Sequence, residues 1–252
     1  METAPEYRAL LAVDIADSAG RGDVALELIR RELATALRAS FARSGVDWDA
    51  CLRHDLGDGM RVAAPAGTPK AALIHPLLHE LTARLRAHNL LAGPPTRVRV
   101  RVALHAGEIR VGADGSAIGR PLEVLARLLD AEPARAALAR DPEVTAAVLV
   151  SQHFHEETVW EGRPGIDPAA FREVAVRVKK FAAPAWLHVP LSAAPGAAEP
   201  GGAGAGPGEP EDARGRTPDD GRAGTARMTS KASGHGVVYA VGNGVININR
   251  RE

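Results

Sequence analysis

The sequence predicts an α+β domain, a mixed sheet covered by helices, followed by a disordered linker and a short β-prone tail. Three observations carry this prediction. The run Arg97-Val-Arg-Val-Arg-Val-Ala-Leu-His105 alternates with period 2, which places Val98, Val100 and Val102 on one face of a strand and Arg97, Arg99 and Arg101 on the other. Residues 23–43 instead carry Val24, Leu28, Leu33, Leu37 and Phe41 near helical spacing. From Ser192 to Ala232 the chain is Ala, Gly, Pro, Asp and Arg with almost no large apolar side chain, so it cannot bury enough surface to offset chain entropy.

The elements follow in order. The apolar run Tyr7 to Ile15 reads as a strand, and Ala16 to Gly22 as a loop. Asp23 is the expected N-cap of the helix 23–43. Trp48 to His54 and Met60 to Ala64 form a hairpin around Leu56-Gly57-Asp58-Gly59, and Pro65 ends its second strand. Pro69 to Asn89 is helical in pattern, with Pro76 expected to kink or restart it. After the strand 97–105, Gly107 separates a second short strand, Glu108 to Val111, and a helix runs from Pro121 through Asp130. Thr145 to Ser151, Phe171 to Val178 and Ala185 to Leu191 read as further strands. The boundaries are a domain at 1–191, a linker at 192–232 and a β motif at 233–252.

Composition narrows the partners. Lys plus Arg equals Asp plus Glu, 31 each, so no global field draws the chain to nucleic acid or to an anionic membrane. One cysteine, Cys51, excludes an internal disulfide and any cysteine metal cluster. Without a basic-then-apolar leader or a long apolar stretch, the expected location is the cytoplasm.

Two carboxylates at strand ends, Asp14 and Asp58, fit a divalent-metal phosphoryl-transfer site, because Mg²⁺ and Mn²⁺ take oxygen ligands from one or two carboxylates and the substrate phosphates. Asp58 reads equally as a hairpin-turn residue and Asp14 as a loop-entry cap. His75 and His79 lie four apart, but Pro76 breaks the geometry and they read as ordinary, partly exposed residues. His153 and His155 read as a solvated helix start, and His105 as packed in the sheet. The arginines at 97, 99 and 101 read as a sheet face matched to acidic neighbours, or as a phosphate or partner site.

Four motifs in this order, Val13-Asp14-Ile15, Leu56-Gly57-Asp58-Gly59-Met60, Val100-Arg-Val-Ala-Leu-His105-Ala-Gly107-Glu108 and Gly119-Arg-Pro-Leu-Glu-Val-Leu-Ala126-Arg127-Leu128, resemble the catalytic domain of class III adenylate and guanylate cyclases. The resemblance spans about residues 7 to 191, and the chain is similar to a divergent actinobacterial group built on this domain. It implies a cyclase-like (ferredoxin-like) fold, a homodimer with its sites at the interface, a nucleoside triphosphate ligand, and Mg²⁺ or Mn²⁺ held by Asp14 and Asp58. Arg127 matches the arginine that stabilises charge on the transferred phosphoryl group. His54 falls where active cyclases have a purine-reading lysine. Ser116, or Asp114 after a small shift, falls at the second purine-reading position, and Glu123 replaces a ribose-orienting asparagine. Asp17 replaces a glycine whose amide approaches the phosphates. The metal half of the site is retained, therefore, and the base-recognition half is altered.

The end of the chain, Ser233-Gly-His-Gly236-Val-Val-Tyr-Ala-Val-Gly242-Asn-Gly244-Val-Ile-Asn-Ile-Asn249, holds two β-prone runs about an Asn-Gly turn. Its low charge and alternating Ile and Asn suit stacking against copies of itself, and it resembles bacterial amyloid signalling motifs. The alternative is an extra hairpin on the domain edge. Two functions follow: a nucleotide-binding or dimerising signalling module whose tail recruits an effector protein with a related β motif, or an active metal-dependent nucleotidyl cyclase with altered base recognition.

Overall fold

The sheet is built around a long buried strand near the start of the chain. In the computed structural model, which describes residues 4–190, strand β1 (Glu6–Ile15) is buried without interruption from Ala9 to Ile15. The elements that follow are α1 (Asp23–Arg43), the hairpin β2 (Leu52–Asp55) and β3 (Gly59–Ala63), α2 (Leu77–Leu91) and β4 (Val100–Val111). Next come β5 (Ala117–Ile118), α3 (Arg120–Leu129), α4 (Glu132–Arg140) and β6 (Ala146–Ser151). The last are α5 (Gln152–Thr158), β7 (Phe171–Val178) and β8 (Phe181–His188).

The strand order is β2-β3-β1-β4-β6-β8-β7, with β5 paired to β4. β1 runs antiparallel to both β3 and β4, whereas β4 and β6 are parallel, so the sheet is mixed. Alternation along β1 sends Leu11, Val13 and Ile15 to one face, where α1 and α2 supply Leu33, Leu37, Phe41, Leu77, Leu81 and Leu85. Leu10 and Ala12 point to the other, against Leu125 and Leu128 of α3 and Ala134 and Leu138 of α4. Asp14 continues this second series and so faces the α3 layer.

Several expectations are corrected. Asp23 is the first helical residue rather than the cap; the cap position is Gly22, with no side-chain bond. The first hairpin strand begins at Leu52, because the Asp47 carboxylate accepts the amides of Asp49 (2.9 Å) and Ala50 (3.4 Å) and turns the chain there. Pro76 does restart a helix: a 3₁₀ turn at Lys70–Leu73 precedes α2, with a cis His75–Pro76 bond between them. Gly107 does not divide two strands, since β4 passes through it. A Cβ there would lie 2.5 Å from Cγ of Pro121, so the glycine serves the close approach of α3. β8 starts at Phe181, four residues early, after a turn in which Lys179 takes φ 55°. His155 is 2% exposed and stacked on Trp186, with centroids 3.8 Å apart, rather than solvated. The linker and tail expected at 192–232 and 233–252 lie outside the described residues. No described helix is long and apolar enough to cross a membrane.

Candidate functional site

Asp14 and Asp58 are brought together by the join between β1 and the β2–β3 hairpin. The amide of Ile15 donates to the carbonyl of Asp58 at 3.0 Å, and Gly59 stands opposite Asp14 in the register. A Cβ on Gly59 would lie 2.1 Å from the carbonyl oxygen of Val13, so a side chain at this position would part the two strands. Asp55, rather than Asp58, shapes the turn: its carboxylate accepts the Gly57 amide at 2.7 Å. Asp58 is thereby left to its own contact, accepting from the Ser18 hydroxyl at 2.6 Å.

Asp14 is 9% exposed and faces Arg101 directly across β1 and β4, with the guanidinium bonded to its Oδ2. Burial pushes its carboxyl up to about 6, against the pull of Arg101 and with added repulsion from Asp58. Its Oδ1 is buried without a partner, as are Nε and Nη1 of Arg101. An orphaned carboxylate oxygen beside a second carboxylate is an arrangement that a hard divalent cation would relieve, so the residues fit Mg²⁺ or Mn²⁺. Among the described residues no set of three or more His, Cys, Asp or Glu could hold a metal. The remaining ligands would come from substrate oxygens and water.

Two other arginines tie backbone segments together. Arg99 donates to the carbonyls of Val144 (2.8 Å) and Asp141 (2.7 Å) and to that of Leu138, anchoring the end of α4. Arg21, which no sequence pattern marks, donates to the carbonyls of Asp17 (2.6 Å), Ala16 (2.8 Å) and Arg97 and pins the loop after β1. Asp17 adopts φ 53° there, a conformation suited to glycine.

His54 and Ser116 line one cavity with Leu52, Arg61 and Leu122. Asp114 is not among the residues lining this cavity; its Oδ1 accepts the Ser116 amide at 3.0 Å and shapes the adjoining turn. Glu123 and Arg127, one turn apart on α3, line a second groove with Arg120 and with Lys179 and Lys180 of the β7–β8 turn. The two lysines carry no local mark of a site in the sequence, because only the β7–β8 turn brings them to α3. Of the expected site residues, then, the fold brings Asp58 beside Asp14; Asp58 lines a cavity against α1, His54 and Ser116 line a second, and Glu123 and Arg127 a third.

No family model matches this chain, and no curated protein sequence matches it. Solved structures do. An adenylate/guanylate cyclase/hydrolase from Silicibacter pomeroyi aligns at 22% identity over 75% of this chain and 99% of its own, with a TM-score of 0.53. The guanylyl cyclase Cya2 aligns at 15% identity over 74% of this chain and 92% of its own, at 0.52. The catalytic core of a rhodopsin-guanylyl cyclase with converted specificity, in complex with ATPαS, aligns at 14% identity over 75% of this chain and 99% of its own, at 0.51. The chain has the fold of the class III adenylate/guanylate cyclase domain.

Proposed function

We propose that this domain is a cyclase-type signalling module that binds a metal–nucleoside triphosphate between two copies of the chain. The convergence of Asp14 and Asp58, with one buried carboxylate oxygen unmatched, carries the reading. Mg²⁺ or Mn²⁺, when bound by these two residues, would supply counter-charge for a triphosphate. Arg127, Lys179 and Lys180 offer the cationic groove for phosphate oxygens, and a guanidinium can grip them bidentately. Because Asp58, the His54–Ser116 pair and the Glu123–Arg127 pair line different cavities, a second copy completes each site.

Binding without turnover is favoured over cyclisation by two features. Arg101 already neutralises Asp14, and Glu123 puts a carboxylate into the groove where a triphosphate would lie. In this reading the motif at 233–252 recruits an effector protein bearing a related β motif. The test is nucleotide binding and turnover by the full chain with Mg²⁺ or Mn²⁺, offering ATP, GTP, CTP and UTP. The expected result is metal-dependent binding that Asp58→Asn weakens at least about tenfold, one charge-assisted contact's worth. Binding unaffected by both Asp14→Asn and Asp58→Asn would refute the metal assignment. A cyclic product lost in Asp14→Asn would establish the enzyme instead. Truncation after Ala232 should abolish effector capture and leave nucleotide binding intact.

A further inference from the structure

Apart from the carboxylate pair, the β2–β3 hairpin and α3 enclose a cavity of about 140 Å³. Its floor is apolar, from Leu52, Ala63 and Leu122, and its rim is polar, from His54, Arg61 and Ser116, with no carboxylate among its lining residues. Ala63 and Leu122 are buried while His54 and Ser116 are exposed, so a flat ring can rest on the floor and present its edge to the rim. Arg53 also lines the cavity, but its guanidinium is committed: it donates to the Trp48 carbonyl at 2.6 Å, pairs with Asp49 at 3.5 Å and lies over the Trp48 ring. Arg61 is not committed. It stands opposite His54 in the strand register, and among the described residues its side chain makes no hydrogen bond or ion pair.

A free guanidinium beside an apolar floor selects a planar ligand with two adjacent acceptors, which its fork can grip together. Guanine presents that edge in O6 and N7, whereas adenine places an amine donor beside N7. We propose that Arg61 is a specificity-determining residue that reads the O6/N7 edge of guanine, so that the ligand of this module is a guanine nucleotide. The inference rests on the nucleotide-binding reading above. His54 and Ser116 can each donate or accept, so they hold the rest of the ring without choosing between the purines.

The test is equilibrium binding of GTP, ATP, inosine triphosphate and 7-deaza-GTP to the full chain with Mg²⁺. GTP should bind about tenfold tighter than ATP, the discrimination of one bidentate contact. Inosine triphosphate, which keeps O6 and N7, should match GTP, and 7-deaza-GTP should fall toward ATP. Arg61→Met should bring GTP to the level of ATP and leave ATP within about twofold of its original affinity. Arg61→Lys, which keeps the charge and can still donate to O6 and N7 without the planar fork, should retain part of the GTP preference. ATP binding as tightly as GTP, or a GTP preference that survives in Arg61→Met, would overturn the assignment. So would displacement of bound GTP by inorganic phosphate but not by guanosine, which would make the cavity a phosphate site. If GTP and ATP bind equally and Asp58→Asn abolishes both, only the Arg61 assignment falls; if no nucleoside triphosphate binds, the nucleotide-binding reading falls with it.

Discussion

Asp14 and Arg101 form a pair that nothing completes. Three of their polar atoms are buried without partners, and the Asp14 carboxyl is held well above the usual carboxylate range. A desolvated pair of this kind is weak evidence for stability, and a role in the site accounts better for it. Asp14 and Asp58 were legible in the sequence because acidic residues at strand ends stand out. Arg101 was visible as one of three alternating arginines, but its partner was not, since a cross-strand register depends on pairing far along the chain. His105 makes a separate case. Its Nδ1 lies 2.7 Å from the Ser151 hydroxyl, and burial, with His153 adding repulsion, lowers it from 6.5 to about 4. Between these values the unfolded chain binds a proton that the folded chain does not. This contribution to stability is therefore present above pH 6.5 and lost as pH falls toward 4. Urea unfolding from pH 7.5 to 4 should show a shallower decline in His105→Gln than in the unaltered protein; parallel declines would contradict the assignment.

At the scale of elements, glycines mislead when they are read only as breaks. Gly107 looked like a strand terminus, yet β4 runs on to Val111 because the glycine makes room for Pro121 at the start of α3. Gly107→Ala should push α3 off the sheet, at a cost of about 1–3 kcal/mol for overpacking a rigid ring, and thermal unfolding would read it. Arg99 joins the end of α4 to β4 through three carbonyls, so Arg99→Ala should cost about 1.5–3 kcal/mol, with Arg99→Lys a poor rescue. An unchanged midpoint in Arg99→Ala would show that α4 is held by Ala134 and Leu138 alone. The helix 23–43 and the strand 171–178 were read with their observed limits, because their apolar spacing is regular. α4 was missed: an alanine-rich stretch beginning Glu132-Pro133 carries little periodic contrast.

Over the whole molecule, the fold class was legible because four short motifs kept their order, and local pattern could not reveal that the expected contact residues line separate cavities. That separation has an experimental signature. If two copies share each site, subunits carrying Asp58→Asn and subunits carrying Arg127→Ala should each bind nucleotide at least about tenfold more weakly, while an equal mixture regains about a quarter of the sites at full affinity. Random pairing makes half the dimers mixed, each with one intact site. Calorimetric stoichiometry would measure it, and no recovery on mixing would place all contacts within one chain.

The uninterrupted burial of β1 from Ala9 to Ile15 has a mutational reading as well. A strand enclosed on both faces has no tolerant alternate positions, unlike β7, where Arg172, Glu173, Ala175 and Arg177 are exposed while Phe171 and Val176 are buried. A saturation scan of substitutions should therefore show a solid intolerant block across β1 and a striped pattern across β7. The same solid block is expected across β6, which is buried at every position from Ala146 to Ser151, so the two strands frame the substitutions the sheet cannot absorb.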